Sequence, residues 1–233
     1  MTADWLGKVA VQIAEPADLA RLDQAIPGER IVRLCRTSGT TGAPKLVAMS
    51  HATQQVNVAR FAQSMLDDPA QRPCFLCLYN LTLRSAYYRV LGVLQRGGTV
   101  HFAQETTAPG LIESGAVNTT MLMVGDLQRL VQVTRPPPPG HVLQIETVGA
   151  AVSKRLRRQI GERLNARFTS YYSSVETGRI ALIGEDDIGT LCAGVTVRIV
   201  DEQGRDNPLG GTRPDLRADR DDGRGLPRRP DAV

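Results

Sequence analysis

The stretch Thr37–Lys45, Thr-Ser-Gly-Thr-Thr-Gly-Ala-Pro-Lys, lies between two short apolar runs, Ile31–Leu34 and Leu46–Met49. Nothing in it can fill a core, so the chain must run strand, exposed loop, strand. Gly39 and Gly42 permit backbone angles that a Cβ forbids and let the main chain approach a ligand closely. The hydroxyls of Thr37, Ser38, Thr40 and Thr41, with free backbone N–H groups, can wrap an anion as backbone nests do. Lys45 adds a mobile positive charge, and Pro44 stiffens the exit. The chemistry these residue types suit is the gripping of a polyphosphate. The stretch is not a Walker A loop, which needs Gly-Lys-Ser/Thr at its end; here Ala43 and Pro44 separate Gly42 from Lys45. A bare Ser-Gly-Thr-Thr-Gly would equally serve as an ordinary surface turn.

The rest of the chain alternates short apolar runs with segments of helical period, which predicts an α/β fold with β-sheet flanked by helices. Ser50 caps a helix from His51 to about Leu66, and His51 itself reads as a packing or capping residue. Phe75–Tyr79 reads as a strand, Thr82–Gln95 as a helix ended by Gly97-Gly98, and Thr99–Ala103 as a strand. Thr119–Val124 and Leu143–Val148 are further strands, with a short helix Asp126–Val133 between them. Pro136–Pro139 must be a stiff connecting loop. The small residues Gly149, Ala150 and Ala151 would let a flat ring lie against the main chain. They lead into a helix, Lys154–Leu164, capped by Ser153, whose arginines Arg155, Arg157, Arg158 and Arg163 read as a solvated face. Arg167–Tyr172 is an expected strand, and Pro16–Gln24 an expected helix closed by the turn at Pro27-Gly28.

A hydrophobic content of 42% suffices for a core, and a net charge of +4 with scarce aromatics makes nucleic acid a poor partner. No run approaches the roughly 18 apolar residues of a membrane span, and no leader is visible, so a cytoplasmic protein is expected. Cys74 and Cys77, two of four cysteines, form a C-x-x-C inside an apolar run with no second pair at zinc-like spacing, and they read as core thiols.

The full string from Thr37 to Lys45, followed by a short strand and Ser50-His51, resembles the phosphate-binding signature of the adenylate-forming family. That family holds acyl-CoA synthetases, luciferases and the adenylation domains of peptide synthetases, and Val47–His51 leans toward the acyl- and aryl-CoA synthetase branch. Further motifs follow in the family's order over residues 31–205, the last of which implies a strand at Val195–Asp201 before a Gly turn. Cys77-Leu78-Tyr79-Asn80 matches an apolar run ending in Pro-aromatic-His, with Asn80 where the family has histidine; the resemblance makes Tyr79 and Asn80 borders of an acyl pocket. Val148–Ser153 is similar to the adenine-side segment G-G-A-P-L-S. Tyr172–Gly178 resembles Y-G-x-T-E, which implies that Tyr172 stacks on adenine with Ser173 and Ser174 beside the AMP, and that Glu176 reaches magnesium on the ATP phosphates. Ser173 replaces the motif's glycine. Val175 replaces the threonine whose hydroxyl touches the α-phosphate, a role that Thr177 could fill in part.

The resemblance implies an incomplete large N-terminal domain of an AMP-forming ligase over residues 1–205. Its substrates would be ATP and a carboxylic acid, with Mg2+ as cofactor and coenzyme A as the commonest thiol acceptor. Beyond it, residues 206–233 change composition to Arg, Asp, Gly and Pro and read as a charged, disordered tail. A back-translation of Asp221–Pro230, read one base later, is compatible with the family's own continuation M-M-V-E-G-Y-L-D-D. A frameshift near Gly210 is therefore expected, with loss of the ribose-binding aspartate, the hinge and the lysine that drives adenylation, and with impaired turnover. The alternatives are a nucleotide-binding or interaction protein that has lost turnover, with a protein partner open, and an incomplete product with no function of its own.

If the loop grips ATP, Lys45→Ala weakens ATP binding by about 1–3 kcal/mol, the scale of one charge-assisted contact, and leaves the fold intact. Calorimetry beside circular dichroism checks this; an unchanged affinity in a folded variant removes the phosphate-loop reading.

Overall fold

The computed structural model describes residues 26–36, 46–66, 68–175, 177–184, 186–200, 203 and 205. The expected helix Pro16–Gln24, the loop Thr37–Lys45, Glu176 and the tail beyond residue 205 lie outside these residues.

β1 (Ile31–Arg36) and β2 (Leu46–Ser50) form an antiparallel two-stranded ribbon. Ser50 then accepts from Thr53 N at 3.2 Å and caps α1 (His51–Gln63), so the expected cap is where the sequence puts it. β3 (Cys74–Cys77), α2 (Arg84–Gln95), β4 (Thr99–Phe102), α3 (Ala108–Glu113), β5 (Thr119–Met123), α4 (Val124–Val133), β6 (Leu143–Val148), α5 (Lys154–Leu164) and β7 (Ala166–Ser174) alternate, followed by β8 (Gly178–Ile183) and β9 (Gly189–Leu191). A seven-stranded sheet runs in the order β4-β3-β5-β6-β7-β8-β9. The pairs from β4 to β7 are parallel, and β8 and β9 turn back antiparallel at one end.

Side chains alternate across the strands and so make two cores. Leu76, Leu122, Leu143 and Ile145 pack with Ile112 of α3, Leu127 and Leu130 of α4, and Leu156, Ile160 and Leu164 of α5. On the other face Phe75, Cys77 and Met121 pack with Met65 and with Ala86, Val90 and Val93 of α2. Both faces are therefore covered by helices, as buried parallel strands require. Cys77 sits in this second core, where burial pushes its thiol up, and all four cysteines are free.

One buried polar cluster was not legible in the apolar runs that contain it. Glu146 of β6, Arg89 of α2 and Arg179 of β8 are 5%, 1% and 7% exposed, and both guanidiniums pair with Glu146 Oε2. Arg179 also donates to Ser64 Oγ and lies 4.1 Å from the ring centres of both Phe61 and Tyr171; Arg89 lies 5.0 Å from that of Phe61. Burial works to raise the Glu146 carboxyl, but Arg89 and Arg179 more than offset it and hold it below the usual carboxylate range.

Three local expectations are corrected. Val195–Asp201 forms no strand over its described residues: only Val200 makes a bridge, and the segment is largely exposed beyond β9, so little apolar burial holds it extended. The helix expected from Thr82 starts at Arg84, because Asn80 Oδ1 takes the Thr82 N–H at 2.9 Å and holds a turn there. Arg157 does not join a solvated face: it pairs with Asp187 at 3.1 Å, donates to Gly184 O at 2.9 Å and ties α5 to the turn before β9.

Glu146→Gln leaves two buried guanidiniums without their anion and should cost about 3–5 kcal/mol of unfolding free energy in a urea titration. The sign with pH follows. The native carboxyl is lowered, so its stabilisation is present above the ordinary value of about 4.3 and fades as pH falls through the lower native one. A variant that loses less than 1 kcal/mol, an order-of-magnitude bound on the same scale, would show that the cluster is dispensable.

Candidate functional site

The strand order reverses at β3: the chain steps to β4 on one side, then crosses to β5 on the other. Such a reversal opens a crevice outside the carboxyl ends of the two strands, because the flanking helices leave on opposite faces. Leu78–Asn80 leave β3 there, Met123 ends β5, Gly149–Ala151 follow β6, and Tyr172–Ser174 end β7. The described candidate residues Tyr79, Asn80, Gly149, Ala150, Ala151, Tyr172, Ser173 and Ser174, far apart in the chain, thus share one edge of the sheet.

The ribbon is fastened to the same edge. Arg33 of β1 donates to Leu81 O at 2.6 Å and Thr82 O at 3.0 Å and stacks over Tyr87, 4.0 Å from the ring centre. Arg36 pairs with Leu46 across the ribbon, so the intervening chain leaves and returns at one rung. That chain contains Thr37, Ser38, Gly39, Thr40, Thr41, Gly42 and Lys45, which lie outside the described residues.

Tyr79 bridges the crevice. Its hydroxyl donates to Asp126 Oδ2 of α4 and accepts from Met123 N at 2.6 Å. Asp126 Oδ1 in turn accepts from Arg129, which also grips Glu105 at 2.8 Å. Burial, with the Asp126 hydrogen bond, pushes the Tyr79 hydroxyl well above the usual phenol range. This phenol therefore stays protonated and does structural duty. Asn80 is exposed, its carbonyl oxygen held in the turn that precedes α2.

Beyond β6, Gly149 adopts φ +93°, which a side chain rarely does, and leaves the exposed small surface of Gly149–Ala151. Ser153 Oγ then accepts from Leu156 N at 3.3 Å and caps α5. At the end of β7 a register shift between Tyr172 and Ser173 re-aims the strand, and Tyr172 is half exposed. Ser174 Oγ accepts from Thr177 N at 3.1 Å and closes the turn to β8. Val175 and Thr177 flank Glu176, itself outside the described residues. No group of three or more His, Cys, Asp or Glu that could hold a metal occurs among the described residues.

A separate cleft of about 540 Å³ opens between α4 and α5, lined by Gly125, Gln128, Arg129, Ser153, Arg155 and Gln159 among others. None of the candidate residues lines it, and the convergence at the sheet edge is the better guide to chemistry. Arg33, Arg84 and Asp126 belong to the edge yet carried no motif. The one sequence signal for Arg33 and Arg84 is a charged residue set within a few positions of a candidate segment; Asp126 had none.

A family model described as "AMP-binding enzyme" matches residues 3–212. A 2-hydroxy-7-methoxy-5-methyl-1-naphthoate–CoA ligase of Streptomyces carzinostaticus is 27% identical over 209 residues, 82% of this chain and 37% of the relative. The AMB antimetabolite synthetase AmbB of Pseudomonas aeruginosa is 25% identical over 231 residues, 88% of this chain and 17% of its own length. The amide bond synthetase McbA from Marinactinospora thermotolerans superposes with a TM-score of 0.65 at 25% identity, over 80% of this chain and 40% of that one. The chain spans less than half the length of each.

Tyr79→Phe removes the one group that satisfies both Met123 N–H and Asp126 across the crevice. The expected cost is about 1–3 kcal/mol, the penalty for part-buried polar groups left unmade. Thermal denaturation with calorimetric ΔH checks it, and an unchanged midpoint would mean that water replaces the hydroxyl at no cost.

Proposed function

Because the chain belongs to the AMP-binding enzyme family, we propose that the carboxyl edge of its sheet is an ATP site of an adenylate-forming ligase. In the reaction a carboxylate oxygen of the acid substrate attacks the α-phosphorus of ATP. The bond from that phosphorus to the bridging oxygen breaks, and pyrophosphate leaves with the electron pair. A thiol, commonly that of coenzyme A, then forms a C–S bond to the acyl carbon as AMP departs and the thiol proton is released. The relatives named as a CoA ligase and as a synthetase support this class of chemistry.

The single observation that carries the reading is the convergence of Tyr79-Asn80, Gly149–Ala151 and Tyr172–Ser174 at one edge, with the ribbon that bears the Thr37–Lys45 loop held there by Arg33. Each segment then has a task. Gly149–Ala151 offer a flat surface to adenine, and Tyr172 offers a ring for the other face of the base. Thr37, Ser38, Gly39, Thr40, Thr41, Gly42 and Lys45 hold the β- and γ-phosphates and neutralise the leaving pyrophosphate. Mg2+ would neutralise phosphate charge, and a carboxylate such as Glu176 suits so hard an ion, which takes most of its ligands from phosphate and water. Catalysis at such an edge rests on positioning and on stabilising charge at phosphate oxygens. Tyr79 and Asn80 border the acid substrate.

A second reading, nucleotide binding without turnover, is favoured by Val175, which offers no hydroxyl where charge builds on the α-phosphate. One experiment separates the two. Purified protein is titrated with MgATP in a calorimeter and assayed for pyrophosphate release over a panel of aromatic and aliphatic acids. Acid-dependent release is the expected result for a ligase. Binding with no release from any acid leaves the second reading, and absence of binding removes both.

A further inference from the structure

Arg84, in the first turn of α2, has no part in the assignments above. Its Nη1 donates to the Ser174 carbonyl at 3.1 Å and its Nη2 to Asn57 Oδ1 of α1 at 3.2 Å. The guanidinium lies over the ring of Tyr88, 5.3 Å from its centre, and Tyr88 is fully buried. One side chain therefore joins α1, α2 and the carboxyl end of β7. Among the described residues no carboxylate pairs with it.

The space around this fork is filled. Gly178, at φ +80°, closes the turn opposite Ser174, and a Cβ there would lie 3.0 Å from Asn57 Oδ1 and 3.2 Å from Arg84 Nη2. The fork is planar and rigid, so two acceptors fixed on different elements determine where the Ser174 backbone sits. On the turn's outer side Ser174 Oγ and Thr177 Oγ1 lie 2.9 Å apart, and Thr177 is exposed. One hydroxyl donates to the other, so one O–H of the pair remains to be given outward.

We infer that Arg84 is a positioning residue that holds the Ser174–Thr177 hydroxyl pair toward a nucleotide phosphate. The pair supplies the donor that Val175 lacks. Arg84 does not touch the nucleotide; it acts through the Ser174 carbonyl, which no side-chain substitution at 174 can remove. The inference rests on the nucleotide site proposed above and adds a residue that links the segment after Tyr79-Asn80 to the β7–β8 turn.

The test compares AMP with adenosine, which differ by the phosphate alone. Calorimetry is run on the full chain as wild type, Arg84→Gln, Arg84→Lys, Thr177→Val and the Arg84→Gln/Thr177→Val double variant. Arg84→Gln should weaken AMP about tenfold, the scale of one hydrogen bond to a charged group, and leave adenosine within about twofold. Thr177→Val should do the same. The double variant should lose no more than the larger single loss, because both changes remove one device. Arg84→Lys, which keeps the charge and loses the fork, should behave as Arg84→Gln does. Additive losses, equal losses for AMP and adenosine, unchanged AMP affinity, or full rescue by Arg84→Lys would each overturn the positioning role. Wild-type protein that binds neither ligand removes the nucleotide site itself and the inference with it. If Arg84→Gln does not fold, Asn57→Ala, which takes away one acceptor of the fork, replaces it in the same cycle.

Discussion

The buried Arg89–Glu146–Arg179 cluster is the interaction on which the helix layer over the second core depends. Two guanidiniums share one carboxylate oxygen, so the cluster holds one more cation than anion among the described residues. Low dielectric makes such an imbalance costly, and Arg89 Nε and Arg179 Nε find no acceptor among those residues. The offset comes from the rings of Phe61, Phe75 and Tyr171, whose faces accept cations, and from Ser64. A cluster assembled from α1, α2, β6, β7 and β8 tolerates little sliding of any of them. Its anion stands two residues before the end of β6, and its outer guanidinium is the neighbour of Gly178. The core charge and the candidate site are therefore set by the same strands.

The two edges of the sheet are finished differently, and that difference makes room for a site. At the amino edge the Asn118 side chain takes the Cys74 N–H at 2.7 Å and donates to Arg72 O at 2.9 Å, while its backbone carbonyl accepts from Gln144 at 2.9 Å. His141 and Asn165 extend this lacing. At the carboxyl edge the strands end in small, hydroxyl-bearing or turn-forming residues. The polar ties there run sideways, from Tyr79 to Asp126, from Arg33 to Leu81 and Thr82, and from Arg84 to Ser174. They fix the loops relative to one another and leave the small and polar surfaces outward.

Much of the fold was legible because local rules and tertiary burial agree along most of the chain. Leu143–Val148 and Lys154–Leu164 are observed as the apolar run and the helical period require, and Ser50 and Ser153 cap the helices that their side chains suit. Where the reading failed, burial or a contact over long range decided. Val195–Asp201 has a strand's composition, but its described residues are largely exposed and only Val200 makes a bridge. Arg157 has the look of a surface charge, yet it is drawn inward by Asp187 and the Gly184 carbonyl. The Tyr79 hydroxyl, which no motif singled out, spans the crevice to Asp126 and Met123 N–H.

Residue types and spacing along the chain determined the alternation of strands and helices, the family, and which short segments carry polar or glycine chemistry, because those properties depend on neighbours within a few positions. The pairing of β3 with both β4 and β5 was decided only in three dimensions, and with it the edge at which those segments meet. So were the partners of Arg33, Arg84, Arg89 and Arg179. Their contacts join residues 33 and 81, 84 and 174, 89 and 146, and 146 and 179. An arginine's charge is written in the sequence; whether it meets water, a ring, a carbonyl or a carboxylate depends on which distant element the fold packs against it.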